Sequence, residues 1–141
     1  MNEITWLVCA VINAAIAILH LYIIYVGAPA YRYFGAGEAM ATKAENGSWI
    51  PAIVTLGVTA VFFIFSYYNL AAAKYFTAPF LLYGLMAIAA IYVLRGSVVL
   101  AIPFMKEPVS DFDKVSSFIA LGIGLLHCFG VYLYENQQGV Y

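Results

Sequence analysis

Four apolar stretches, residues 4–26, 49–70, 78–100 and 116–134, take up most of this 141-residue chain. Each reaches the roughly 20 residues that a helix needs to cross the hydrocarbon of a bilayer. With 9% charged residues and a mean hydropathy of +0.93, the chain has too few charges to cover a water-facing surface; a soluble domain carries about 25%. Four fully buried helices in a soluble protein would need a shell that the remaining residues cannot supply. The sequence therefore predicts an all-α fold, a four-transmembrane-helix bundle with residues 1–141 forming a single integral membrane domain. The net charge of −1 leaves no basic stripe, which argues against a nucleic-acid partner.

The N-terminus, Met1-Asn2-Glu3, lacks Lys and Arg, and the first apolar run exceeds the h-region of a cleavable signal, so the first segment is expected to stay as a span. Basic residues gather in cytoplasmic loops. Arg32, Lys43, Lys106 and Lys114 lie in the first and third connections against Lys74 alone in the second, which predicts both termini outside. Tyr and Trp favour headgroup depth. Trp6, Tyr67, Tyr68, Tyr75, Tyr132 and Tyr134 are expected to anchor the outer side, and Tyr25, Tyr31, Tyr33 and Trp49 the inner.

The first connection, residues 27–48, is the long one. Pro29 is expected to close the first helix, because the residue before a proline is pushed out of helical conformation. Residues 38–45 (EAMATKAE) combine good helix formers with mixed charges and predict a short interfacial helix. Ser48 can cap the next helix, with Pro51 in its first turn. In the third connection, Asp111 and Asp113 form an Asp-x-Asp pair, read as solvated carboxylates in preference to a cation site.

Polar groups at hydrocarbon depth need partners, so they mark bundle interiors and often function. Counting rise along each helix puts Asn13 and His127 near mid-membrane and His20 level with Arg95 in the inner half. Ala10, Asn13, Ala17 and His20 share one face of the first helix, and Tyr92 and Arg95 one face of the third. On the fourth, Ser116, Ala120, Gly124 and Cys128 make a small-residue ridge bordered by Ser117 and His127, suited to close helix packing. The expected site is thus an interior polar cluster: His20 near Arg95, with Tyr92 and Ser117 as partners, and Asn13 near His127. A snorkelling Arg95 is the alternative for that side chain, and packing alone is the alternative for each histidine. Cys9 and Cys128 are expected to act as small apolar filler, a disulfide at similar depth being the other option. Two histidines without a nearby carboxylate make a poor metal set, and no metal or cofactor is expected.

Three segments carry a resemblance: Ala17-Ile-Leu-His-Leu-Tyr22, Ile91-Tyr-Val-Leu-Arg-Gly96, and Val115-Ser-Ser-Phe-Ile-Ala-Leu-Gly-Ile-Gly-Leu-Leu-His127. Together they resemble small four-span bacterial inner-membrane proteins of uncharacterised function. The resemblance implies a bacterial inner (plasma) membrane location and adds no activity. In size and span number the chain is also similar to the trimeric membrane enzymes of eicosanoid and glutathione metabolism. Their Asn-x-x-Glu pattern in the second helix is missing here, where Ser66 and Asn69 are the strongly polar side chains.

The function these features favour is that of a non-enzymatic membrane protein, self-associating, that binds a lipid, a small molecule or a partner helix. A small oligomeric transporter or proton-coupled carrier using the histidines, and a membrane-embedded enzyme, are the competing classes.

Overall fold

The computed structural model describes residues 2–104 and 109–138, and among these every regular element is helical. Helix α1 (Asn2–Val26) ends at Gly27, whose φ of +78° breaks the helical path. Glycine enters that region without the Cβ clash other residues meet. The chain then turns directly into α2 (Ala28–Tyr33), with Pro29 in its first turn. Pro29 thus starts a helix where it was expected to close one; its missing N–H costs nothing at a helix start.

Helix α3 (Glu38–Glu45) has the expected bounds. Arg32 ties it to α2: Nε and Nη2 donate to the Glu38 carboxylate at 2.9 and 2.6 Å, and Nη1 donates to Glu45 at 2.6 Å. The guanidinium holds both carboxyls below their ordinary range, and they raise its own affinity for the proton. Tyr31, expected as a surface anchor, instead packs among Ile23, Ala28 and Ala41 beneath this hairpin.

Helix α4 (Ile50–Ala72) starts where Ser48 Oγ accepts the Ile50 N–H at 3.3 Å, with Pro51 in the first turn. Helix α5 (Leu81–Ala101) begins after Phe80, whose φ of +50° delays the helix past the expected residue 78; a 3₁₀ turn, Ile102–Phe104, follows it. Helix α6 (Asp111–Gln138) starts ahead of the expected residue 116. Ser110 explains the early start: its Oγ accepts the Asp113 N–H at 3.0 Å and donates to Asp113 Oδ2 at 2.7 Å. Ser110 thus caps the start of α6, and its hydroxyl also engages the Asp113 side chain, so Asp113 is more than a solvated carboxylate. Asp111 pairs with Lys114 at 3.0 Å. Lys106 of the same connection lies outside the described residues.

Helices α1, α4, α5 and α6 are each long and apolar enough to cross a membrane, which is compatible with a multi-pass membrane protein. They alternate in direction, so the start of α1, the end of α6 and the α4–α5 connection share one end of the bundle. Most interhelical contacts lie within two antiparallel pairs, α1 with α4 and α5 with α6; contacts between the pairs are sparse. The α5–α6 pair is close because glycine faces backbone on both sides. A Cβ on Gly96 would come within 2.5 Å of Leu121 Cα, and one on Gly124 within 2.8 Å of Val93 N. The expected ridge on α6 therefore serves contact within the chain, but it stops at Gly124, since Cys128 is exposed.

Candidate functional site: a polar layer in the bundle interior

Asn13, Ser117, Asn69 and His127 are fully buried, and Tyr92 is 5% exposed. Asn13 sits on the small face of α1 expected for it, beside the buried Ala10 and Ala17. Its Nδ2 donates to Cys9 O at 2.9 Å, and its Oδ1 accepts the Tyr92 hydroxyl at 2.7 Å. The Tyr92 ring in turn stacks on His127, centroids 5.5 Å apart at 26°. One tyrosine from α5 thereby joins Asn13 of α1 to His127 of α6, the two residues expected at the same depth.

His127 Nδ1 lies 2.9 Å from Ile123 O. A carbonyl has no proton to offer, so Nδ1 carries the hydrogen, and Nε2 of the neutral ring is an acceptor. Nε2 is buried and has no partner among the described residues. Trp6 meets the same ring edge-on with centroids 6.0 Å apart, and its Nε1 is likewise buried without a partner. Trp6 was expected at the headgroup level; it is 1% exposed. Gly130 makes the room, because a Cβ there would stand 2.7 Å from the indole.

The register of α4 on α1 adds a third helix to this layer. Ser66 Oγ donates to Ala10 O at 2.9 Å. In an antiparallel pair, one turn beyond Ser66 is Asn69, and one turn before Ala10 is Trp6. Asn69 therefore stands level with Trp6, fully buried, with both amide atoms unpartnered. Trp6 Nε1–H offers a donor, His127 Nε2 an acceptor and Asn69 one of each. No family model, curated protein or solved structure matches this chain.

The structure divides the remaining expected residues. His20 is half-buried; its Nδ1 lies 2.8 Å from Ile16 O and its ring packs on Phe62 at 5.2 Å. Phe62 also reaches Tyr92, centroids 6.3 Å apart, so an aromatic ladder runs from His20 through Phe62, Tyr92 and His127 to Trp6. Arg95 is engaged elsewhere: it donates to Ser117 Oγ, donates to Ser116 Oγ at 3.0 Å, and stands 3.7 Å from Asp113 Oδ1 with its side chain 44% exposed. The expected pairing of His20 with Arg95 is thus replaced by separate partners for each. The reason is reach: the arginine follows α6 toward its first turn, where Ser116, Ser117 and Asp113 stand, while the imidazole takes the α4 face.

Thr55, Thr59, Ser66 and Asn69 line the buried face of α4. Steps of three and four along the sequence carry this stripe, with Phe62 between, and it is the signal that reveals Asn69. Trp6 has no such signal, since its burial depends on Gly130 of another helix. The cysteines are both free, Cys9 buried in the cluster with Trp6, Ala72 and Leu85. Among the described residues no three His, Cys, Asp or Glu side chains gather as a metal set.

Proposed function

We propose that this chain is a non-enzymatic integral membrane protein that binds one small polar molecule in its interior, between Trp6, Asn69 and His127. The observation that supports the reading most directly is the set of four buried, unpartnered polar atoms on three helices in one layer. Such atoms are costly in hydrocarbon surroundings unless paired. Their pattern, a lone donor, a lone acceptor and an amide with both, suits a neutral guest carrying a hydroxyl or amide better than an ion. The Asn13–Tyr92–His127 chain positions the imidazole with its acceptor turned away from Ile123.

The experiment compares full-length wild type with Asn69→Leu and His127→Leu, each purified from membranes in mild detergent. Each sample is denatured and the released small molecules are quantified by mass spectrometry. We expect one neutral polar compound at near-stoichiometric amount in wild type and a loss of at least tenfold in both variants. An identical profile from all three folded proteins would exclude the interior site.

A further inference from the structure

Lys74 occupies a backbone position its residue type disfavours. Tyr75 N–H bonds Leu70 O and Lys74 N–H bonds Ala71 O, both at 3.0 Å, closing α4 with a Schellman motif. Lys74 is the left-handed residue of that motif, φ +67°. Glycine is the usual occupant, because a Cβ there crowds the following carbonyl. A disfavoured residue that persists at such a position points to a task for its side chain.

The surroundings supply the task. Lys74 Nζ stands 3.1 Å from Glu3 Oε1 at the start of α1, with the two side chains 77% and 60% exposed. An ion pair this open contributes little to stability, so both charges remain available. The pair rims a cleft of about 320 Å³ bounded also by Ile4, Leu7, Ala73 and Tyr75. The α4–α5 connection that forms one rim is pinned, since the Tyr67 hydroxyl donates to Thr77 O at 2.6 Å and the Tyr68 hydroxyl to Pro79 O at 3.1 Å. Below the charges, Ile4 is 68% and Leu7 38% exposed along the side of α1. At the ends of two spanning helices this is headgroup depth.

A cation beside an anion above an apolar wall matches a headgroup that carries phosphate and a primary ammonium above its acyl chains. Phosphate oxygens accept from Lys74 Nζ, and the ammonium donates to the Glu3 carboxylate. A trimethylammonium head has no N–H to donate, and an anionic head without an ammonium meets Glu3 as like charge. We propose that the cleft between the start of α1 and the end of α4 binds a phosphatidylethanolamine-type phospholipid, with Lys74 on the phosphate, Glu3 on the ammonium and an acyl chain along Ile4 and Leu7. This rests on the membrane-spanning part of the function proposed above and is independent of the interior guest.

The test is native mass spectrometry of the full-length protein in detergent, titrated separately with dioleoyl phosphatidylethanolamine, phosphatidylcholine and phosphatidylglycerol. Wild type should bind the ethanolamine lipid about tenfold tighter than the choline lipid, a difference of ~1.4 kcal/mol. Lys74→Gly should weaken binding of the ethanolamine and choline lipids alike, about tenfold, because both carry the phosphate, while raising Tm by a few degrees, on the order expected for relief of one strained residue. Glu3→Gln should bind the ethanolamine and glycerol lipids equally. Equal binding of ethanolamine and choline lipids by wild type overturns the proposal. So does a Lys74→Gly protein that binds both lipids as tightly as wild type or melts at a lower temperature, or a Glu3→Gln protein that still separates the ethanolamine from the glycerol lipid.

Discussion

Gly96 and Gly57 differ only in what faces them. A methyl on Gly96 would meet the Leu121 backbone within 2.5 Å, whereas nothing stands within 4 Å of the same methyl on Gly57. Backbone cannot swing aside as a side-chain tip does, so Gly96→Ala must push α5 and α6 apart. We expect Gly96→Ala to lose about 1–3 kcal/mol of stability, in line with overpacked interiors. Gly57→Ala in the middle of α4 should gain up to about 0.5–1 kcal/mol, because alanine has less backbone freedom to lose. Thermal melts in one detergent check both, and equal shifts for the two variants would contradict the close approach. Trp6 belongs to the same scale. Tryptophan in the first turns of a span reads as an interface anchor from composition and position, yet Gly130 on α6 opens a slot that draws the indole inside.

Among the elements, the α2–α3 hairpin combines a small apolar cluster around Tyr31 with an exposed charge tie. Ala41 is its one fully buried side chain on α3, and Arg32 bridges Glu38 and Glu45 across the two helices. Both carboxyls sit below their ordinary range when folded. The tie is therefore at full strength above the unfolded carboxyl value and is lost as the pH falls through the folded one. Amides of residues 38–45 should lose protection against hydrogen exchange on acidification, after correction for the intrinsic rate. Those of α4 should hold. Protection of α3 that is independent of pH down to the acid range would rule out the carboxylates as the fastening. The element bounds show where sequence reading stops. Good formers between Gly37 and Asn46 make α3 legible, whereas Ser110-x-x-Asp113 carries a cap signal that is easily taken for loop chemistry beside two acidic residues.

At the scale of the molecule, two helix hairpins meet across few contacts, so the bonds that cross between them carry unusual weight. The Tyr92–Asn13 hydrogen bond, 2.7 Å and buried, is one of these, joining α5 to α1. Tyr92→Phe leaves Asn13 Oδ1 without its donor while preserving the ring on His127. It should cost on the order of 1 kcal/mol. A double-mutant cycle with Asn13→Leu should return a coupling of about 0.5–2 kcal/mol. Additive losses would mean that the two side chains do not depend on each other. If the interior layer binds its guest as proposed, Tyr92→Phe should also weaken that binding, because the ring that packs on His127 loses its tie to Asn13.

Length and apolarity by themselves determined the four helices, since a run of about 20 apolar residues has few other ways to satisfy its backbone. The faces bearing Asn13, Tyr92, Ser117 and His127 followed from helical periodicity, because steps of three and four place residues on one side whatever the neighbours are. The partners were a different matter. That His20 takes Phe62 and not Arg95, and that Trp6 packs on His127 with Asn69 at its level, depended on the offset of α4 against α1 and on glycines at 96, 124 and 130. Periodicity places a side chain around its own axis; only packing decides how far one helix slides and how closely it approaches the next, and those two quantities select which polar atoms meet.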